Sequence, residues 1–539
     1  MTLRHVGQGH VREVLRDLPW TLDETYARVL NNINESNRAH ARRLLHCLAV
    51  ASRPLRVEEL AEILAFDFDK DPGGIPRFHE DWRSNNQEDD VLSICSGLIT
   101  IVNDRGSRVV KFSHMSVKEF LTSEHLAAPG VDLSTYLILP GPAHTILAQA
   151  CLGLLLGLDS NFGYESAKNS PLVGYAARYW VAHAQIEDVA SHLRDGMEDL
   201  FDPYKPYFAS WIGIYDIDAD SGGKVQSEIP SPLYYSALCG FHDLVRHIII
   251  KHPQDVNTIA GSFGFPLVAA LCKGHFRVAE LLLEHGGSVH VRNKSQETVL
   301  HIALDRQNEL SLDAVQFLLT HGAEVNARRD DLWTPLHIAV VHGELSVARM
   351  LLDHQADVNS QNDDGQSPLH LLARLGTSQG EEDGSDIAKS LLEHGANVDE
   401  KDKDNATPLH FACYKKKLKI VRVLLEHGAN ADAEKNRGET PLQLALSRRG
   451  GHDAEDGIGV ARLLLEHGAE AYGRDTYHIS TSDLGCCFGN EKIGQVLLVD
   501  GGKFKEENNR DQTAFWLWIE GEYYSLELSS GGLHVFPRV

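Results

Sequence analysis

Histidine is the residue in this sequence with the greatest capacity for chemistry. There are 29 in 539 residues, and imidazole is both a common metal ligand and a base that titrates near neutral pH. Their spacing argues against both uses. His301, His337, His370 and His410 each close a short string: TVLH, TPLH, SPLH and TPLH. His285, His321, His354, His394, His427 and His467 each follow a Leu-Leu pair at a helix end, where a protonated His favours the negative pole of the helix dipole. Groups that recur at a fixed period are spread along a chain and do not converge on an ion. These histidines are therefore read as structural, with no metal site.

Other chemistry is equally thin. The eight cysteines (Cys47, Cys95, Cys151, Cys239, Cys272, Cys413, Cys486, Cys487) form no CxxC pair. They read as buried, reduced thiols of an intracellular protein. There is no HExxH, and the one GxSxG string, GTSQG at 376–380, lies between the two helices of a repeat unit and not on the strand-to-helix turn that motif needs. A phosphate cradle of the P-loop type needs GxxxxGK followed by Ser or Thr. The Gly-Lys pairs are Gly223-Lys224 and Gly502-Lys503. Asp218 and Leu497 stand where the first Gly is required, and Val225 and Phe504 follow the lysines. The expectation is a protein that is not an enzyme and holds no cofactor.

The element that carries the histidines is a repeat. LLLEHGA and its variants begin at Leu281, Phe317, Met350, Ser390, Val423, Leu463 and Val496, at offsets of 36, 33, 40, 33, 40 and 33. TPLHxA-type strings precede all but the last, at Phe265, Thr298, Thr334, Ser367, Thr407 and Thr440, and a weaker unit opens at Ser231. Thr or Ser before Pro caps a first helix, with Pro at the position that loses no hydrogen bond. The second helix closes on a left-handed Gly: Gly322, Gly395, Gly428 or Gly468. Gln355 replaces that Gly in one copy, at a cost of about 1 kcal/mol. The segment after it forms a hairpin finger leading into the next unit. Two intervals carry seven extra residues, GTSQGEEDGS (376–385) and RGGHDAEDGI (449–458), read as solvated acidic loops.

A 33-residue period with TPLHxA identifies residues 230–502 as resembling the ankyrin repeat, in seven to eight units. The resemblance implies a solenoid that binds partners with its finger tips and the concave face of its first helices. The partner-facing candidates are then Trp333, Arg328, Arg329, Asp330, Asn362, Asp363, Gln366, Lys401, Asp402, Lys403, Lys435, Arg437 and Glu439. Trp333 leads them, because a partly exposed Trp among charges has hot-spot chemistry. Its competing reading is a ring packed on the neighbouring finger.

Residues 11–127 have another texture. VREVLRDLPWTLDETYARVLNNI reads as two amphipathic helices split at Pro19. HARRLLHCLAVASRPLRVEELAEILAF reads as two helices joined at Pro54. VLSICSGLITIVNDRGSRVVKFSHMSVKEFLTS reads as helix, β-hairpin, helix, which suggests a winged-helix arrangement. Residues 140–218 read as a helical connector, and residues 508–539, with Phe515, Trp516 and Trp518, as an irregular cap. The fold class is all-α dominated: an ankyrin solenoid preceded by a winged-helix-like domain and a helical connector.

The strings LDETY, RPLRVEEL, SGLITI, FSHMSVKEFL and PLVGYAARYW resemble the region that follows the NACHT nucleotide-binding domain in fungal NLR-like proteins of the STAND class. This resemblance implies a nucleotide-binding core ahead of residue 11, so that a NACHT-type NTPase is the implied partner in cis or in trans. It also implies that His114 touches nucleotide phosphate. Read from this chain alone, His114 is a helix-start residue. Two readings stand: the recognition half of an NLR-like signalling protein, or a stand-alone ankyrin adaptor, with an enzyme a remote third.

Charge narrows the partners. The formal net charge is −25, which repels phosphate backbones and anionic lipid. The candidate recognition helices VEELAEIL and SVKEFLTSEHL are not basic, as groove-reading helices are. The longest apolar run, 146–158, is too short for a bilayer. The expectation is a cytoplasmic (or nuclear) protein with protein partners, and neither nucleic acid nor membrane.

Overall fold

The computed structural model describes residues 21–68, 74–83, 86–95, 97–104, 106–123, 126, 133–158, 170–218, 231–305, 312–375, 381–447 and 454–470, and the strands 515–519, 522–529 and 532–537. At 381–383, 454–456 and the last three strands the description is of backbone alone. It divides into two compact units, Met1–Gly287 and Ser288–Val539. The division falls inside the repeat region, so the first two repeat pairs belong with the connector. The expected helix at 11–18, the Cys486-Cys487 pair and the last degenerate unit at Val496 lie outside the described residues.

In the first unit, Thr21 is extended and its hydroxyl accepts the Glu24 amide, which starts α1 (Leu22–Asn31). Then come α2 (Arg38–Val50) and α3 (Val57–Glu62), turned at Pro54 as the sequence indicates. The acidic stretch 67–90 holds two short paired strands, β1 (Phe66–Asp67) and β2 (Arg77–Phe78), and leads into α4 (Gln87–Ile94). The wing is the antiparallel pair β3 (Ile99–Asp104) and β4 (Ser107–Phe112), in register from Ile99–Phe112 to Asp104–Ser107. The Val110 amide also donates to the Leu55 carbonyl, so the α2–α3 turn is joined to β4 by an isolated bridge at Arg56 and Val109. Helix α5 (Met115–Leu121) follows. Leu44, Leu45, Leu55, Leu60, Leu98, Val110, Val117 and Leu121 form the buried centre. Charged side chains are buried with them, Glu59 among them, which accepts from Arg53, Arg56 and the Arg56 amide at 2.7–2.9 Å. Burial alone would raise its pKa, but those donors hold it below the usual value.

The connector is built on α6 (Pro140–Leu155) and α7 (Pro171–Ala184), followed by α8 (Val189–His192), α9 (Arg194–Leu200) and α10 (Tyr207–Ile214). Its core is aromatic. Trp180 meets Trp211 edge-on at 5.2 Å and stacks on Phe241 at 5.5 Å, and Phe201 lies 5.6 Å from Trp211. Phe241 comes from the first repeat pair, α11 (Pro232–Cys239) and α12 (His242–Lys251). The pair α13 (Pro266–Cys272) and α14 (Phe276–Glu284) completes this unit.

The second unit continues the helix pairs: α15 (Val299–Asp305) with α16 (Leu312–Thr320), α17 (Pro335–His342) with α18 (Leu345–Asp353), α19 (Pro368–Leu375) with α20 (Glu381–Glu393), α21 (Pro408–Tyr414) with α22 (Leu418–Glu426), and α23 (Pro441–Leu446) with α24 (Ala454–Glu466). First helices are buried nearly throughout, Leu336, Leu369, Leu409 and Leu442 at 0–1% exposure. The left-handed closures are present at Gly322, Gly395, Gly428 and Gly468, and Gln355 adopts the same conformation at φ 66°.

The described parts of the acidic insertions, 381–385 and 454–458, are helix where loop is expected, and 376–380 and 449–453 lie outside the described residues. Helices α20 and α24 begin at Glu381 and Ala454, inside the insertions, and run 13 residues where the other second helices of this unit run nine. Residues 381–383 and 454–456 form the first turn of these two helices. Near the C-terminus, β5 (Phe515–Ile519), β6 (Glu522–Ser529) and β7 (Gly532–Pro537) form an antiparallel meander. That part of the expected irregular cap is regular sheet.

Candidate partner-binding face

Among the described residues of the second unit, fingers lie at 293–297, 329–333, 362–366, 402–406 and 435–439. In each, the first residue's amide donates to the fifth residue's carbonyl: Asn293 to Glu297, Arg329 to Trp333, Asn362 to Gln366, Asp402 to Ala406 and Lys435 to Glu439, at 3.0–3.3 Å. The fourth residue is left-handed: Gln296, Leu332, Gly365, Asn405 and Gly438, at φ 58° to 76°. Gly and Asn enter that region easily, and other side chains do not. Gln296 and Leu332 are therefore both strained, and Leu332 is the apolar one.

The first residue then decides how the turn is held. Asn293, Asn362 and Asp402 each accept two backbone amides on one side-chain oxygen at 2.8–3.0 Å. Arg329 and Lys435 cannot accept, and charge replaces the turn bond. Arg329 grips both oxygens of Asp331 at 2.7 and 2.9 Å and reaches Glu297 at 3.3 Å. Lys435 lies 2.7 Å from Glu439.

Two ladders fix the fingers in series. Tip amides donate backwards: Asp330 to Ser295, Asp363 to Asp331, Lys403 to Asp364 and Asn436 to Asp404, at 2.8–3.2 Å. The histidines form the second ladder. Nδ1 of His301, His337, His370 and His410 lies 2.8–2.9 Å from the hydroxyl of Thr298, Thr334, Ser367 and Thr407, and accepts the same residue's backbone amide at 3.1–3.3 Å. Nε2 then donates to the carbonyl before the next string, that of Trp333, Gln366, Ala406 or Glu439, at 3.0–3.2 Å. This pattern requires the neutral Nε2–H tautomer. Burial enforces it, pushing His301, His337 and His410 down to about 4 and lowering His370 as well. The helix-end histidines behave differently: Nδ1 of His285, His321, His354, His394, His427 and His467 each reaches the carbonyl four residues back at 2.7–2.9 Å.

The structure sorts the candidate contact residues. Arg328, Asp330, Asp363, Lys401, Lys403 and Arg437 are exposed, and Arg329, Trp333, Lys435 and Glu439 half-buried. Asn362, Gln366 and Asp402 are buried, which corrects their assignment to the contact surface. One side-chain oxygen of Asn362 and one of Asp402 are spent on turn amides, and the Gln366 backbone carbonyl accepts from Asn362 and His337. Trp333 has its backbone pinned by Asp331 and His301, while the Arg329 guanidinium lies 5.0 Å over its ring. Beside it Leu332 is 37% exposed. Leu332 was not among the candidates. The signal that finds it is the alignment of fourth positions, where the other fingers carry Gln, Gly, Asn and Gly. Leu332 and Trp333, between the exposed charges of Arg328 and Asp330 and those of Asp363 and Asp364, form a small apolar step on a polar tip row.

His114 belongs to the first unit. It caps α5, with Nδ1 2.7 Å from the Ser116 hydroxyl, which in turn lies 2.7 Å from the Tyr26 hydroxyl. Among the described residues no three His, Cys, Asp or Glu side chains converge as metal ligands, and no helix is long and apolar enough to cross a membrane.

Comparison with known proteins agrees with this architecture. Residues 233–329, 311–402 and 378–475 match the model for ankyrin repeats, in three copies. Residues 29–130 match the model for the GPI inositol-deacylase winged helix domain. The chain is 31% identical over 304 residues to the azaphilone pigments biosynthesis cluster protein L of Monascus ruber, a match covering 52% of this chain and 63% of that protein. The match thus spans less than two thirds of the relative's length.

Proposed function

We propose that this ankyrin-repeat protein, with its winged-helix domain ahead of the repeats, acts by binding a protein partner on the finger row around Leu332 and Trp333 and performs no chemistry of its own. The observation that carries this reading is Leu332. A leucine held left-handed costs on the order of 1 kcal/mol relative to glycine, and here it is spent to display an apolar side chain beside a half-exposed tryptophan. Strain kept at an exposed position motivates a functional reading, and aromatic anchors ringed by polar groups are the chemistry of interface hot spots. The ladders favour the same use, since tips ordered before the partner arrives lose little entropy on binding.

The finer reading is the recognition half of an NLR-like signalling protein. A winged-helix domain followed by repeats is the domain order this reading requires. The relative's name assigns that protein to a pigment biosynthesis cluster and gives it no chemical step, so it does not favour an enzyme. Two experiments test the reading. Affinity capture with the full chain should yield a protein lost on Trp333→Ala. Mapping of the transcript's 5′ end should reveal a sequence encoding GxxxxGK[ST], or the captured set should contain an NTPase. Capture without either of the last two leaves the adaptor role standing and refutes the NLR-like one.

A further inference from the structure

A chain of buried polar groups in the first unit is unused by partner binding. The Ser52 amide, in the turn after α2, donates to the Tyr175 hydroxyl on α7 at 3.0 Å. That hydroxyl lies 2.8 Å from Nε2 of His183, in the last turn of α7. Nδ1 of His183 lies 2.8 Å from Nδ1 of His144 on α6. Tyr175 and His183 are 0% and 1% exposed, and His144 is half-buried.

Counting protons fixes the direction of the chain. Tyr175 accepts from Ser52, so its own proton goes to Nε2 of His183. His183 then carries its proton on Nδ1 and donates to Nδ1 of His144, whose proton sits on Nε2. Every acceptor nitrogen is occupied. An added proton cannot be accommodated without breaking a bond or reversing the row. In the reversed row His144 donates to His183, His183 donates to Tyr175, and the hydroxyl faces two N–H groups with its own proton displaced.

We propose that this row is a proton-operated latch that fastens the winged-helix turn at residues 51–54 to helix α7 and releases it when His144 takes up a proton. His144 is the entry point, because it alone of the three side chains reaches the surface. The groups around the row do not supply a compensating anion. Arg53 lies 5.0 Å over the Tyr175 ring and is neutralised by Glu59 on α3. Glu62, also on α3, is paired with Arg83. The thiols of Cys47 on α2 and Cys151 on α6 are kept protonated by burial. On α7 itself, Tyr179 is flanked by Arg53 and Arg178. On α8, His192 is bound to the Asp188 carbonyl. Burial lowers His144, and burial together with His144 holds His183 at about 4. Both are neutral at pH 7, so the latch is closed there and opens on acidification.

The test is residue-resolved hydrogen exchange of the Ser52 amide in the full chain, corrected for the intrinsic effect of pH. Exchange of the α7 amides Tyr179 to Val181 serves as the folding control. Protection at Ser52 should fall at least tenfold between pH 7 and pH 5 while the control holds. His144→Asn offers an oxygen to Nδ1–H but does not titrate, so its Ser52 protection should stay flat. Tyr175→Phe should show the open exchange rate at both pH values. Wild-type protection that is flat with pH, or a His144→Asn variant that follows the wild type, would overturn the latch. Failure of either kind leaves partner capture at Trp333 untouched, since that is measured on the other unit.

Discussion

Nε2 of His337 lies 3.2 Å from the carbonyl oxygen of Gln366, while Nδ1 of the same ring accepts the Thr334 amide at 3.1 Å. One imidazole therefore caps its own helix and ties it to the next repeat. The bond at Nδ1 exists only for the neutral ring, because a protonated Nδ1 has no lone pair to accept the amide. The folded pKa of about 4 lies below the unfolded 6.5. The stabilisation is thus complete above pH 6.5 and is lost as pH falls toward 4. His301, His337 and His410 each contribute on the order of 3 kcal/mol across that window. The urea midpoint of the array should be level from pH 8 to 7 and fall steadily between pH 6.5 and 4. A midpoint that rises on acidification contradicts this assignment.

Replacing the imidazole separates its two bonds from its charge. His337→Ala leaves the buried Thr334 amide without its acceptor and removes one of the two donors to the Gln366 carbonyl, and should cost about 2–3 kcal/mol. His337→Gln should cost less than half of that. The chain already contains the precedent: Gln443 takes the histidine's place after Thr440 and its side-chain oxygen accepts the Thr440 amide at 2.9 Å. Equal losses for Ala and Gln in urea melts would show that packing, and not hydrogen bonding, sets the effect.

Gln355 closes α18 at φ 66° and is exposed. Gln355→Gly should relieve the left-handed strain and stabilise the second unit by about 1 kcal/mol. The same change at Gly322, run backwards as Gly322→Gln, should destabilise by a similar amount. A melt unchanged by both would mean that the surrounding turn tolerates either residue.

Asp218 is 2% exposed and accepts the Ser262 hydroxyl at 2.6 Å, the Ser262 amide at 2.5 Å and the Tyr234 hydroxyl at 3.0 Å. It ties the connector's end to the first two repeat pairs. Asp218→Asn replaces a charged acceptor by an amide with one oxygen, and should cost about 2 kcal/mol. Hydrogen exchange should accelerate over residues 231–265 and leave the winged-helix domain unchanged.

The repeats were legible because their caps are local. Thr334-Pro335 starts a helix and Gly322 ends one by rules that span four residues. The fourth position of the finger was legible too, once the fingers were aligned, but Leu332 passes in sequence for an ordinary apolar residue. The inward turn of Asn362 and Asp402 was not legible. A polar residue in a turn looks exposed until its oxygen is seen accepting two amides. Nor was the second bond of His337, because Gln366 is 29 residues away and the contact exists only after stacking. The described parts of the insertions, 381–385 and 454–458, misled for a different reason. Glycine and acid suggest a loop, while acid at a first turn also starts a helix.

The most direct test of the binding face is a pair of substitutions with opposite signatures. Leu332→Gly should raise the urea midpoint, by about 1 kcal/mol in stability, because glycine accepts φ 60° without strain. It should at the same time reduce capture of the partner at least tenfold, as should Trp333→Ala, while Gln355→Gly stabilises and captures normally. A Leu332→Gly chain that is more stable and binds as well as wild type would contradict the account.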